Sequence, residues 1–149
     1  MTAIRSSPRR FMRMLLFAAM LSFAAGCGVP NLDPPECSAS RLVVREFYSY
    51  HFGNEMKFSA QGLKDRQRFL SPELIEKVSA APEGTDPFTT GTSDLPKAFR
   101  AGKCKVVSPD RTRFDLIIFW KDDARSEQRT LKVEALKAGD GWLVDKIER

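Results

Sequence analysis

The sequence predicts an α+β domain in which N-terminal helices pack on a curved, antiparallel meander of four strands. Apolar residues recur at helical spacing between residues 38 and 78, whereas from Lys97 onward they alternate with polar residues, as in strands. Short turn signals separate the alternating segments, which indicates hairpin connections between neighbouring strands. Helices therefore come first and strands second, and this segregation is typical of the α+β class.

The first helix is predicted from Ser38 to about Asn54. Its buried face would carry large side chains that recur every three or four residues: Val43, Phe47 and Tyr50. Ser38 or Ser40 can cap its N-terminus, and Gly53 suits its C-terminus. The segment is therefore expected to form an amphipathic helix.

A second helical segment follows, with a start signal at Ser71 and Pro72. The serine hydroxyl can accept a hydrogen bond from a backbone amide, and proline at the first helical position loses no helical bond. The buried side of this short helix is supplied by Leu74, Ile75 and Val78. The segment 82–96 is rich in Pro, Gly, Thr and Asp and is predicted to be a long loop.

The strongest strand signal is "RTRFDLIIFW", in which four large residues face one side: Phe114, Leu116, Ile118 and Trp120. The opposite face begins polar at Arg113 and Asp115 and becomes apolar further along. Residues 103–106 and 131–135 alternate in the same way. The "GDG" at 139–141 is a hairpin signal that leads into the last strand. These segments account for the four predicted strands.

The N-terminus has the features of an export signal. The first thirteen residues hold four arginines and no acid, and the apolar run from Met14 to Ala25 follows. Twelve residues at helical rise cover about 18 Å, whereas a bilayer core is about 30 Å thick. The run is therefore too short for a permanent span. Arg9 and Arg10 resemble a twin-arginine signal, but Pro8 departs from that pattern and general secretion is favoured.

The motif "AAGC", which ends at Cys27, resembles the lipobox of bacterial lipoproteins. The resemblance implies that the Cys27 sulfur receives a diacylglyceryl group and that a signal peptidase cuts just before it. Acyl chains such as palmitate would then anchor the protein to the membrane. Ordinary secretory cleavage near Ala25 is the alternative.

This reading divides the chain into a lipoprotein signal peptide at 1–26, a Pro-rich tether at 27–36 and a single α+β domain at 37–149. Gly28 stands where inner-membrane lipoproteins of enteric bacteria carry aspartate. The expected location is therefore the cell envelope, anchored in the outer membrane and facing the periplasm.

Cleavage before Cys27 would also change the charge. Four arginines and no acid leave, so the 24 basic residues fall to 20 against 19 acidic ones, and the net charge falls from +5 to +1. Because the apparent basicity belongs to the signal, no nucleic-acid partner is predicted.

The cysteine count favours one disulfide. If Cys27 carries lipid, Cys37 and Cys104 remain as an even pair in an oxidising compartment. Such a bridge would stabilise the fold by about 4 kcal/mol on chain-entropy reasoning. Two buried free thiols are the alternative.

Four segments together resemble one family: "VREFYSYHFG", "RFLSPELIEKV", "DPF" and "GWLVDKIE". They are similar to YbjP-like bacterial lipoproteins of unknown function, over roughly residues 40–148. The resemblance implies a cone-shaped, nuclear-transport-factor-2-like (cystatin-like) domain. It implies no catalytic residue and no cofactor, because the shared motifs are packing motifs.

Candidate catalytic chemistry is sparse. His51 is the one histidine, and with Tyr48 and Asp115 it forms a weak pocket candidate between helix and sheet. A lone histidine at a helix end is more often a surface or capping residue, so no catalytic residue is assigned. The histidine, the cysteines and the scattered acids lack metal-ligand spacing, and no metal or cofactor is predicted.

The favoured hypothesis is a lipid-anchored envelope lipoprotein that is not an enzyme and binds another envelope protein or a small apolar ligand. The alternative is an enzyme of the cone-fold type, a hydrolase or isomerase that uses a pocket between helix and sheet. A third reading is a structural or stress-related lipoprotein without a specific ligand.

Overall fold

The computed structural model describes residues 33–149. The predicted signal peptide, Cys27 and most of the tether lie outside the described residues. Three helices pack against an open, four-stranded antiparallel sheet, so the predicted α+β class and the helices-first order are confirmed. The elements are α1 (Pro35–Phe52), α2 (Ala60–Arg66), a 3-10 turn (Gln67–Phe69), α3 (Pro72–Ser79), β1 (Ala98–Ser108), β2 (Arg111–Lys121), β3 (Ser126–Ala138) and β4 (Gly141–Glu148).

Helix α1 begins at Pro35, earlier than the predicted Ser38 and inside the segment assigned to the tether. Pro34 is the N-cap without a side-chain hydrogen bond, and Pro35 takes the first helical position, where its missing N–H removes no helical bond. Ser40 is not a cap, because it is buried within the helix and its hydroxyl donates to a carbonyl one turn earlier at 2.6 Å. Gly53 follows the last helical residue, as predicted.

Helix α3 begins where the sequence predicts. The Ser71 hydroxyl accepts from the backbone N–H of Leu74 at 3.1 Å, and Pro72 follows the cap. Leu74 and Val78 are buried. The backbone N–H of Ser71 donates to the carbonyl of Val144 at 2.9 Å, so the start of α3 is joined to strand β4.

The sheet is a simple meander with the order β1-β2-β3-β4, and each strand runs antiparallel to the next. The register between β2 and β3 is unbroken, whereas β1 is irregular between Ala101 and Cys104. A Cβ atom at Gly102 would come within 2.8 Å of the carbonyl oxygen of Asp115. This close approach of two backbones requires glycine.

The core lies between α1 and one face of the sheet. Helix α1 contributes Val44, Phe47 and Tyr48, which are fully buried. The sheet contributes the face that the alternation predicted: Phe114, Leu116, Ile118 and Trp120. The Phe47 ring meets the rings of Phe69 and Phe88 edge-on, at centroid distances of 6.1 and 5.2 Å. Aromatic side chains therefore fill the space between the helix and the sheet, where the enzymatic alternative would place a pocket.

Cys37 and Cys104 form a disulfide, the pairing that the sequence favoured. Their Cα atoms are 5.9 Å apart and 67 positions separate them in the chain. The bond fastens the first turn of α1 to β1 just after the irregularity. Beside it, the Thr112 hydroxyl donates to the Ser40 hydroxyl at 2.8 Å, which joins α1 to β2 as well.

Candidate functional site

His51 is fully buried, which corrects the prediction of a surface or capping residue. The Nε of Arg66 donates to His51 Nδ1 at 3.1 Å. On the other side of the ring, Nε2 lies 3.1 Å from each carboxylate oxygen of Asp86. Both ring nitrogens therefore have protein partners. Its hydrogen bonds to Arg66 and Asp86 explain the burial of this histidine, which its position near the end of α1 did not predict.

The partners determine the tautomer of the ring. Burial lowers the pKa of Arg66, but an arginine side chain remains protonated and can only donate. Nδ1 must therefore be the acceptor, so the proton is on Nε2 and is donated to Asp86. A neutral imidazole thus connects a guanidinium cation to a carboxylate. Neither nitrogen can act as a general base without breaking one of these bonds.

Asp86 also organises the loop between α3 and β1. Its carboxylate accepts from the backbone N–H of Phe88 at 2.9 Å and from the hydroxyl of Thr89. The Tyr48 hydroxyl donates to the carbonyl of Phe88 at 2.9 Å, and Arg149 Nε donates to the carbonyl of Thr89 at 2.8 Å. Burial, and to a smaller extent the Asp86 carboxylate, raise the pKa of Tyr48 well above its ordinary value. These bonds hold the loop against α1 and the C-terminal end of β4.

Asp115, the third predicted pocket residue, is not brought to His51. It lies on the face of β2 opposite the buried Phe114 and Leu116, and its carboxylate pairs with Lys132 at 2.5 Å. The structure therefore brings Tyr48 and His51 together at the loop but places Asp115 on the outer face of the sheet. Sequence reasoning missed Asp86 and Arg66 as the partners of His51, although the "DPF" segment was noted.

A second polar cluster lies on the outer surface of the sheet. Arg111 bridges two buried carboxylates, Glu134 at 2.9 Å and Asp145 at 2.5 Å, and Arg113 also pairs with Glu134. Hydrogen bonding to Asp145, more than to Glu134, raises the pKa of Arg111. Within residues 33–149, no group of three or more His, Cys, Asp and Glu side chains is arranged to bind a metal ion.

An open groove of 910 Å³ lies along the outer side of α1. We call it the α1 groove; α1 supplies one wall, and the 3-10 turn and the β3–β4 turn supply the other. Its apolar lining includes Leu42, Val43, Tyr50, Phe69 and Trp142. Leu42 is 63% exposed, although it lies in the middle of a helix. Such exposed apolar surface beside a concavity is typical of binding sites.

Charged side chains border the α1 groove. The Arg68 guanidinium stacks over the rings of Tyr50 and Phe69, at 5.1 and 4.6 Å from their centroids. Glu46 and Asp140 also line the groove. An apolar floor with a few charges at its border can hold an apolar partner in a defined orientation.

No helix in the part of the chain that the structure describes is long and apolar enough to cross a membrane.

Comparisons with known proteins support the fold. No protein-family model matches the chain, and no curated protein matches it. The chain is similar to the 2.10 Å crystal structure of a protein of unknown function from Bacteroides thetaiotaomicron VPI-5482. The two are 18% identical, the TM-score is 0.52, and the match covers 93% of this chain and 99% of that chain. At this identity the likeness shows the fold alone.

Proposed function

We propose that this protein is a lipid-anchored lipoprotein of the bacterial envelope, related to the YbjP-like lipoproteins, whose domain acts by binding and not by catalysis. Acylated Cys27 anchors it to the outer membrane, and the domain faces the periplasm. The observation that carries the binding role is the α1 groove, in which Leu42 exposes most of its side chain.

The buried polar groups support binding over catalysis. The one histidine has both ring nitrogens bonded to protein groups, and Asp115 is paired with Lys132. A general base needs a nitrogen or an oxygen within reach of a substrate proton. The competing role, a hydrolase or isomerase of the cone-fold type, would require His51 to release Asp86 or Arg66.

The α1 groove suits an apolar segment of another envelope protein better than a small ligand. It is open along the helix from Ala39 to Tyr50, whereas small-ligand sites enclose most of their ligand. Charged side chains of both signs, Arg68, Glu46 and Asp140, line it, so a segment with complementary charges would dock in a preferred orientation.

Site-specific photocrosslinking in cells tests the docking role. A photoreactive phenylalanine analogue replaces Leu42 in one strain and Val107 in a control strain. Val107 is the other large apolar side chain exposed in the described part, at 47%, and it does not line the groove. We expect one defined adduct from position 42 that Trp142→Ser abolishes, and none from position 107. Equal adducts at both positions, or none at either, would count against the docking role.

Metabolic labelling tests the anchor separately. A radioactive fatty acid should label the wild type but not Cys27→Ala, and the label should follow the outer-membrane fraction in a density gradient. Labelling of both proteins would refute attachment through Cys27 without bearing on the α1 groove.

A further inference from the structure

The outer face of the sheet, which α1 does not cover, is cationic along its edge strand β1. This strand has three cationic side chains and no acidic one: Arg100, Lys103 and Lys105. Arg100 is opposite Ile117 on the outer face of β2. Cys104, between the two lysines, faces α1 through its disulfide, so both lysines lie on the outer face. All three cations are exposed, and we call them the β1 cations.

The β1 cations are not neutralised by their surroundings. They have no side-chain hydrogen bond and no ion pair within residues 33–149. The carboxylates of Asp115, Glu134 and Glu148 on the same face are each paired with another cation. Lysines on an edge strand discourage pairing with a second sheet, and a row of unpaired cations also attracts an anionic surface.

Apolar side chains lie next to the β1 cations. Ile117 is opposite Arg100, and Phe119 is opposite Ala98 at the start of β1. Both side chains are partly exposed on the outer face. Peripheral proteins bind membranes through cations that meet anionic headgroups and through apolar side chains that enter the interface. This combination suits the surface of an anionic bilayer.

The chain also leaves the described part at this edge of the sheet. Arg41 pairs with Asp33, the first described residue, and donates to the carbonyls of Ala101 and Gly102 at 3.2 and 2.8 Å. These two residues of β1 lie within the row of the β1 cations. Cys27 is six residues before Asp33, and six residues span at most about 20 Å. An acyl anchor on Cys27 would therefore keep the β1 cations close to the bilayer.

We propose that the outer face of the sheet docks on an anionic phospholipid surface through the β1 cations, with Phe119 at the interface. This inference rests on the proposed anchor at Cys27. Helix α1 covers the other face of the sheet, so the α1 groove opens away from the bilayer, where another envelope protein can reach it. Each cation near an anionic surface contributes about fivefold in affinity.

Lysine footprinting of the acylated protein in nanodiscs tests this orientation. An amine-reactive reagent is used at low conversion, and mass spectrometry gives the rate at each lysine. Lys103 and Lys105 should react at least about fivefold more slowly in discs that contain phosphatidylglycerol than in discs of phosphatidylcholine alone. Lys64, exposed on α2, should react equally in both. Salt at about 1 M should remove the protection, because the Debye length falls to about 3 Å.

Two charge variants provide a matched comparison. Arg100→Gln leaves both reporter lysines in place and should reduce their protection from about fivefold to about twofold. Lys137→Gln removes one charge from an exposed residue of β3 that is opposite Trp142, a residue of the α1 groove, and it should leave the protection unchanged. Equal loss of protection in the two variants would contradict a specific role of the β1 cations.

The remaining outcomes separate this inference from the anchor. Equal reaction of Lys103 and Lys105 in both kinds of disc, in a protein that is acylated, would overturn this inference alone. A protein without acyl chains on Cys27 would overturn the anchor and this inference together. Protection in native envelope vesicles but not in phosphatidylglycerol discs would identify an acidic protein as the partner and would also overturn the proposal.

Discussion

The two faces of helix α1 differ in the exposure of their side chains and in the hydrogen bonding of their polar groups. On the inner face, Tyr48 and His51 are buried and every polar atom of their side chains is bonded to a neighbouring element or loop. On the outer face, Leu42 is 63% exposed and Arg45 has no partner within residues 33–149. The residue types that suggested chemistry stabilise the fold, and the proposed binding role rests on residues that suggested none.

The contrast follows from solvation. A buried polar group without a partner costs about 1–3 kcal/mol, whereas an exposed one is satisfied by water. The inner face therefore requires partners from distant segments, and the outer face does not. Substitutions on the inner face should lower the free energy of unfolding, and those on the outer face should change it little.

The largest effect is expected at Asp86. Asp86→Ala removes the acceptor for His51, Thr89 and the Phe88 amide, and it also removes a buried negative charge that favours the Arg66 cation. We expect the free energy of unfolding to fall by roughly 3–5 kcal/mol in urea denaturation at neutral pH. Asp115→Ala, which breaks an ion pair on the outer face of the sheet, should cost less than about 1 kcal/mol. Similar losses in the two variants would contradict the distinction between buried and exposed carboxylates.

The disulfide should come next, since it holds the inner face of α1 against β1. The Cys37→Ala/Cys104→Ala variant should lose about 2–4 kcal/mol, because the unfolded chain is no longer closed into a loop. A reductant should lower the urea midpoint of the wild type and leave that of the double variant unchanged. A wild-type midpoint that does not respond to reduction would show that the bond adds little.

The two tyrosines of α1 provide a matched pair. Tyr48→Phe removes a buried hydrogen bond to Phe88 and should cost about 1–2 kcal/mol in urea denaturation. Tyr50 is partly buried beside Arg68, and Tyr50→Phe should cost no more than about 0.5 kcal/mol. An equal cost at both positions would contradict the difference between the two faces.

The same two tyrosines should differ in how they affect the pH dependence of the free energy of unfolding. Because the pKa of Tyr48 is raised in the folded state, the folded protein keeps a proton that the unfolded chain loses above about pH 10. The stability that this proton contributes is complete below that pH and is lost as the pH rises toward the folded-state pKa. Tyr48→Phe should flatten the alkaline decline of the unfolding free energy measured from pH 9 upward, and Tyr50→Phe should retain it.

The smallest effect is expected at Leu42. Leu42→Ser should change the free energy of unfolding by less than about 0.5 kcal/mol, since the side chain is already largely in water. Two residues later on the same helix, Val44→Ala should cost roughly 2 kcal/mol, because Val44 is fully buried. Thermal unfolding of both variants checks the difference, and a large loss at Leu42 would mean that the α1 groove belongs to the core.

Much of the fold could be predicted because its signals are local. The alternation in "RTRFDLIIFW" identified the buried face of β2, and Ser71 with Pro72 marked the start of α3. The start of α1 was misplaced, since prolines at 34 and 35 suit both an extended tether and the first turn of a helix. A local signal is ambiguous where the same residue type favours two kinds of structure, as proline does at this position.

The candidate site was harder to predict from the sequence than the fold. The bonds of His51 join it to Arg66, 15 positions away, and to Asp86, 35 positions away, and no periodicity relates these residues. The α1 groove combines α1 with the 3-10 turn and the β3–β4 turn, so its shape depends on how three segments pack.

The sequence by itself determined the order of the helices and strands, the face that β2 buries, and the expectation of an export signal that ends just before Cys27, whereas the predicted Val43 and Tyr50 of α1 are only partly buried. Those properties follow from the periodicity and composition of short segments, which need no knowledge of distant contacts. Only the tertiary structure decided that His51 is a buried link between Arg66 and Asp86, and that Leu42 and Arg45 remain exposed on the other side of the same helix. Burial and hydrogen-bond partners depend on which segments meet, and that is settled by the packing of the whole domain.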